Sequence, residues 1–99
     1  MIEKAWQNHL EAPFPPGCAG EQVEGIELAH LDSAAAGCIS KFVSSRSTLD
    51  QWHTSILRDC YNDLNVVTPL LRGEAGAYFT HLRELTAVVL QSLGALPNE

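Results

Sequence analysis

The chain has 99 residues, of which 45% are hydrophobic and 18% charged, and its formal net charge is -6. This length suits a single domain over residues 1–99, and the apolar content is too high for a disordered segment. The negative charge repels nucleic acids, and no run approaches the roughly 18 apolar residues of a transmembrane helix, so we expect neither nucleic acid nor membrane as a partner.

The first predicted element is a short amphipathic helix. It must stop before Pro13, because the proline ring clashes with a continuing helix. The N-terminal sequence lacks the basic start and the long apolar run of a secretory leader, so we expect no secretory leader. The apolar side of this helix is formed at helical spacing by Ile2, Ala5, Trp6 and Leu10.

Residues 13–31 are predicted to form an irregular arm rich in proline and glycine, which begins PFPPG. Its later part, VEGIELAHL, places Ile26, Leu28 and His30 on one side if it is extended, but one strand alone has no partner. Unless it pairs with a second copy or with the proline-rich segment, we expect residues 23–29 to be an extended lid or a single helical turn.

One end of the molecule is predicted to be acidic. No Lys or Arg occurs between Ala5 and Ser40, whereas this span contains Glu11, Glu21, Glu24, Glu27 and Asp32. Such a run is usually a solvated face that keeps a protein soluble, and the alternative is a docking surface for a basic partner.

The next helix is predicted to begin at Asp32, whose carboxylate can accept hydrogen bonds from the free amides of a first turn. The small residues of Ala34–Gly37 add little bulk, so we expect a tight crossing with a neighbouring helix. Its narrow apolar stripe consists of Ala35, Cys38, Ile39 and Phe42.

Two long helices are predicted in the second half. The first is capped by Asp50 or Thr48 and kinks or ends just before Pro69. The second follows the break RGEAG and stops at Gly94 and Pro97. A connection this short makes the pair an antiparallel hairpin. The stripes are Leu49, Trp52, Ile56, Leu57, Cys60, Leu64, Val67 and Leu71 in the first helix, and Ala75, Tyr78, Phe79, Leu82, Leu85, Val89 and Leu93 in the second.

These elements predict an all-α fold. We expect a small bundle of about four helices, two long antiparallel helices plus two short ones, with an irregular Pro/Gly-rich arm at residues 13–31.

Three cysteines without a CxxC pair fit a reducing cytoplasm better than a disulfide framework. Each follows a histidine, with eight, seven and six residues between them, whereas structural zinc sites place two ligands two to four residues apart. We therefore expect no metal and no cofactor. The three cysteines are Cys18, Cys38 and Cys60, and the histidines are His9, His30 and His53.

No catalytic centre is predicted. Cys18 lies between Gly17 and Ala19 on the arm, but the acids around it raise a thiol pKa and leave less thiolate. The acids Asp59 and Asp63 fit the solvent face of a helix. The sequence has no Glu-x-x-His element, no phosphate loop, no GxSxG and no HExxH, so we expect that the protein is not an enzyme.

What remains is apolar surface, since a bundle this small is not expected to bury all of its aromatic side chains, and a surplus marks association with another protein. The proline-rich arm either docks in a groove of a partner or shields its own bundle. The residues predicted to interact are Trp6, Phe14, Cys18, Glu21, Glu24, Glu27, His30 and Trp52.

The order of the segments HLEAPFPPGCAG, GIELAHLDSAAAGC and LRGEAGAYFTHLREL resembles a group of small bacterial proteins of unknown function. The resemblance implies a bacterial helical domain and assigns no functional residue.

We therefore expect a cytoplasmic interaction or accessory protein that binds a protein partner, or a second copy of itself as a homodimer, through an apolar helix face and the acidic end. Two alternatives stay open. One is a small ligand- or metal-binding module between the arm and the long helices, built on Cys18, His9 or His30. The other is an acidic inhibitor or immunity-type protein that masks a basic surface.

Overall fold

The computed structural model describes residues 2–96. These residues form four α-helices, namely α1 (Ile2–Glu11), α2 (Leu28–Ser44), α3 (Gln51–Val67) and α4 (Gly73–Ser92). Two short strands, β1 (Gln22–Val23) and β2 (Ile26–Glu27), pair as an antiparallel hairpin. The predicted small helical bundle is confirmed, and the hairpin is an addition to it. Within the described residues, no helix is long and apolar enough to cross a membrane.

Three long helices form the frame of the bundle. The helices α2, α3 and α4 contact one another in every pair, and α1 packs on α4. The prediction of two long and two short helices is wrong, because α2 has 17 residues, as many as α3. Within the described residues, nine apolar side chains have no exposure, and all come from these three helices: Ala35, Ile39, Leu57, Leu64, Val67, Phe79, Leu82, Val89 and Leu90.

The start of α2 lies one turn earlier than predicted, at Leu28, so Asp32 does not cap it. Glu27 occupies the N-cap position and makes no side-chain hydrogen bond there. The first amide of α2 is satisfied by the backbone before the hairpin instead, since the amide of Leu28 donates a hydrogen bond of 3.0 Å to the carbonyl of Glu21. The carboxylate of Asp32 is thereby free to bond elsewhere.

The expectation of a lone extended lid or helical turn over residues 23–29 is also wrong. The partner strand lies immediately upstream, so that Val23 pairs with Ile26. The two residues of the turn, Glu24 and Gly25, have φ angles of 53° and 79°. Two left-handed residues in succession are what a tight hairpin turn requires, which fits the preference for glycine at the second position.

Local signals set the limits of α3 and α4. Asp50 caps α3 as predicted, accepting a hydrogen bond of 2.8 Å from the amide of His53. The helix ends at Val67, and Pro69 lies in a following 3-10 turn, Thr68–Leu70. The break before α4 is shorter than predicted, since α4 begins at Gly73 within RGEAG.

Candidate functional site

The acidic hairpin presents three of the predicted interaction residues, Glu21, Glu24 and Glu27, and all three are exposed. Within residues 2–96 their carboxylates make no hydrogen bond or salt bridge. The hairpin adjoins the ends of α2 and α3, where a shallow pocket is lined by Gln22, Gly25, Ile26, Glu27, His30, Leu31 and Asp63. A concentrated negative charge therefore sits at one end of the helix pair.

The side of α2 and α3 that faces away from α4 is here called the outer face. It consists of His30, Ser33, Ala34 and Gly37 from α2 and of Trp52, His53 and Ile56 from α3. A shallow groove of about 520 Å³ runs between the two helices on this face. Because His30 lines both this groove and the pocket beside the hairpin, the outer face and the acidic end are continuous.

The outer face is open at Gly37. Within residues 2–96, a Cβ atom built on this glycine would meet no atom within 4 Å. Gly37 therefore does not take part in the predicted tight crossing between α2 and a neighbouring helix of the same chain. Ala35, on the opposite side of α2, is the small residue that enters the core.

Trp52 is the most exposed large hydrophobic side chain within residues 2–96, at 73%. Its predicted place in the apolar stripe of α3 is wrong, although the prediction that it lies on an interaction surface stays open. It precedes Ile56 by four residues, so both side chains lie on the same face of α3. An aromatic ring of this size left in water is costly, since burying it would remove a large apolar area from solvent.

The charges along the outer face are unequal at its two ends. Lys41 and Arg46 are exposed at the end of α2 that lies far from the hairpin. Asp50 belongs to the same end, but the Nδ1 atom of His53 contacts its carboxylate at 2.8 Å. Its hydrogen bonds with His53, from the backbone amide first, lower the pKa of Asp50.

Two of the predicted interaction residues, Trp6 and Cys18, are 5% exposed and belong to the core, so they cannot form an exposed surface. Phe14 is half-buried, with its ring 5.7 Å from the ring of Tyr78 and 6.1 Å from that of Phe79. The aromatic surplus expected from the sequence is thus largely absorbed by the bundle, and Trp52 is what remains outside.

All three cysteines are buried and free. Burial first, and nearby acids or thiols second, raise the pKa of Cys18 and Cys38 above its ordinary value and that of Cys60 to about 12. A raised pKa leaves less thiolate, which is the form of cysteine that acts as a nucleophile or a metal ligand. Across the described residues, no three His, Cys, Asp or Glu side chains come together in a group that could hold a metal ion.

A second polar cluster lies between α1 and α4, and sequence reasoning missed it. The Nδ1 atoms of His9 and His81 are 3.2 Å apart, and the ring of Tyr78 lies 4.6 Å from that of His9. The side chain of His81 on α4 is half-buried. His9 follows Ala5 and Trp6 at helical spacing, and this spacing is the signal that could have revealed its burial.

The cluster lines a cleft under the proline-rich segment. The cleft measures about 310 Å³ and is lined by His9, Ala12, Pro13, Pro15, Pro16, Glu74, Ala77, Tyr78 and His81. Burial, together with the nearby His81, lowers the pKa of His9, and Asp32 acts in the opposite direction. The Nε2 atom of His9 is buried and has no hydrogen-bond partner among the described residues. No residue of this cleft belongs to the outer face.

The protein is a small helical bundle with three surface features: an acidic hairpin, an open outer face and a histidine-lined cleft. No family model, curated protein or solved structure matches the chain. The resemblance to small bacterial proteins therefore stays a prediction.

Proposed function

We propose that this protein is a non-enzymatic interaction domain that associates with a second copy of itself through the outer face. The observation that carries the proposal is Trp52, which is 73% exposed and lies on the same helix face as the groove residue Ile56. Aromatic side chains are enriched at interfaces because they bury a large area at a low cost in conformational entropy.

The outer face has both a projection and a recess, as an interface between identical copies needs. In a two-fold dimer the same patch meets itself, so Trp52 of each copy would lie over the α2–α3 groove of the other. Ala34 and Gly37 leave that groove shallow and open. The small side chains of α2 would then allow a close helix crossing between two copies.

The charge distribution favours the same arrangement. Glu27 and Asp63 lie at the hairpin end of the helix pair, and Lys41 and Arg46 are exposed at its other end. A two-fold axis near Gly37 would run α2 of one copy antiparallel to α2 of the other. Each acidic end would then face a basic end, which gives electrostatic complementarity.

The projected area of the outer face, about 500 Å² from the dimensions that follow, approaches the size of an ordinary dimer interface. A helix of 17 residues is about 25 Å long, and two adjacent helices with their side chains span about 20 Å. An interface of ordinary size covers about 800 Å² on each partner. This is about one seventh of the 5949 Å² of accessible surface on the chain.

Light scattering tests the proposal. We expect the protein at micromolar concentration to have twice the 10.8 kDa mass of one chain. The variant Gly37→Glu would place two carboxylates near the two-fold axis and should be a monomer. It should still fold, because a Cβ at this position meets nothing and glutamate is a better helix former than glycine.

The matched control is Gln7→Glu, which adds one negative charge at an exposed position of α1, away from the outer face. This variant should keep the dimer mass, and circular dichroism should show the same helix content in all three proteins. A monomeric parent protein, or a Gly37→Glu variant that remains dimeric, would refute association through this face.

A further inference from the structure

The cleft between the proline-rich segment and α4 has the properties of a preformed ligand site. Its volume of about 310 Å³ lies at the lower end of the range for small-molecule pockets, roughly 300–1,000 Å³. Its walls are mostly apolar, formed by Pro13, Pro15 and Pro16 on one side and Ala77 and the Tyr78 ring on the other.

The proline wall is held in place by the core. Pro15 is buried, and its carbonyl accepts a hydrogen bond of 3.2 Å from the amide of Cys18. Phe14 packs edge-on against Tyr78 and Phe79. Because proline also has a fixed φ angle, this wall needs little further ordering when a ligand enters.

The burial of His9 indicates which of the two Nδ1 atoms, that of His9 or that of His81, carries the hydrogen that they share. If His81 donated, the buried Nε2 of His9 would carry an N–H group without an acceptor, which costs more than an unpaired lone pair. His9 Nδ1 therefore donates to His81 Nδ1. The Nε2 of His81 then carries a hydrogen, and among residues 2–96 this group has no partner.

His81, which carries this unpartnered N–H group, lines the cleft, and so does the carboxylate-bearing Glu74. Glu74 makes no hydrogen bond or salt bridge within the described residues. A net charge of -6 further attracts cations and repels anions. A ligand that satisfies all of these features has a flat apolar body, a hydrogen-bond acceptor and a positive charge.

We propose that this cleft binds small aromatic amines with a polar ring substituent. The ring would lie between the proline wall and Ala77, the substituent would accept from His81, and the ammonium group would pair with Glu74. Cationic groups also interact favourably with the face of an aromatic ring such as that of Tyr78. The site shares no residue with the outer face, so this proposal and the dimer can fail independently.

Tyramine is a suitable probe, and 3-(4-hydroxyphenyl)propionate is its anionic counterpart of similar shape. We expect tyramine to bind the intact protein with a dissociation constant on the order of 1 mM and to shift the NMR signals of His9, Tyr78 and His81. The propionate should bind far more weakly. No shift with tyramine, or equal binding of the two compounds, would overturn the proposal.

Three variants locate the site. Ala77→Leu should abolish binding by filling the cleft, and it should fold normally because Ala77 is exposed and leucine is a good helix former. Glu74→Gln should weaken tyramine binding about three- to fivefold, as expected for an exposed ion pair. The control Glu84→Gln, on the same helix but outside the cleft, should have no effect. Unchanged binding to the Ala77→Leu variant would show that tyramine binds elsewhere and would refute the assignment.

Discussion

The hydroxyl of Tyr78 on α4 donates a hydrogen bond of 2.8 Å to the Oδ1 atom of Asp32 on α2. The same Tyr78 ring contacts His9 of α1 and Phe14 of the proline-rich segment. One side chain therefore connects two helices of the frame to the elements that cover them. The Tyr78 ring also lines the cleft between the proline-rich segment and α4.

Replacing Tyr78 by phenylalanine should measure the strength of this connection. The half-buried Asp32 carboxylate would lose its donor, so we expect the free energy of unfolding to fall by about 1–2 kcal/mol. Urea denaturation followed by circular dichroism gives this value. Tyr61→Phe is the control, because Tyr61 is also half-buried but its hydroxyl makes no hydrogen bond within residues 2–96, and its loss should stay within about 0.5 kcal/mol. Equal losses in the two variants would contradict a specific role for the Asp32 bond.

The stability of the protein at alkaline pH should also report on the surroundings of the Tyr78 hydroxyl. Burial first, and the hydrogen bond to Asp32 second, raise the pKa of the Tyr78 hydroxyl above its ordinary value of 10.0. The stability that comes from keeping Tyr78 neutral is fully present below pH 10 and is lost as the pH rises toward the folded-state pKa. Urea unfolding across this range should therefore show a decline that is absent in Tyr78→Phe. A decline of the same size in the variant would assign it to other groups.

The burial of His9 predicts that the free energy of unfolding falls in acid, whereas Tyr78 lowers it in alkali. Burial chiefly, with His81 adding to it, lowers the pKa of His9 below the ordinary 6.5, so the unfolded chain takes up the proton first. The stability linked to neutral His9 is present above pH 6.5 and is lost as the pH falls toward the folded-state pKa. In His9→Phe this loss should disappear, whereas the exposed His30→Gln control should keep it. An unchanged acid profile in His9→Phe would refute the assignment to His9.

Features of the fold that depend on near neighbours could be predicted from the sequence. The cap by Asp50 and the end of α3 before Pro69 each arise within a few residues, and both are where the sequence placed them. The start of α2 was missed because its first amide bonds to Glu21, seven residues earlier, and not to a capping side chain. The hairpin was missed because each strand has only two residues and no alternating pattern.

The candidate sites were harder to predict because they depend on contacts across the chain. His9 and His81 are 72 positions apart, and nothing in a single sequence pairs them. Trp52 falls at core spacing in α3 but lies outside, because spacing alone does not tell which side of a helix its neighbours leave open. Burial of Trp6 could be expected from its helical spacing, whereas its assignment to a surface came from the assumption that a small bundle cannot enclose every aromatic ring.

Two glycines should respond in opposite ways to substitution by alanine. Gly37 lies in α2 with no atom near a Cβ, so Gly37→Ala should raise the free energy of unfolding by about 0.5–1 kcal/mol through helix propensity. At Gly76 a Cβ would lie 3.0 Å from the backbone carbonyl oxygen of Leu71, so the clash should outweigh this gain and lower the stability. Urea unfolding at low protein concentration measures both effects in the monomer. Stabilisation by Gly76→Ala would contradict the close approach of Leu71.

The two tryptophans allow the outer face to be observed directly by fluorescence. In Trp6→Phe only Trp52 remains, and its exposure of 73% predicts strong quenching by acrylamide in dilute protein. If the outer face is a dimer interface, quenching should weaken as the concentration rises and the ring becomes covered. Light scattering on the same samples should show the mass increasing over the same range.

The reciprocal variant, Trp52→Phe, reports on Trp6, which is 5% exposed in the core. Its quenching should be weak at every concentration, because association through the outer face does not change the surroundings of α1. Weaker protection of Trp52 than of Trp6 at full association is still expected, since an interface ring exchanges with solvent each time the dimer dissociates. A Trp52 signal equally accessible at all concentrations, in a sample that light scattering shows to be dimeric, would mean that the two copies meet through a different surface.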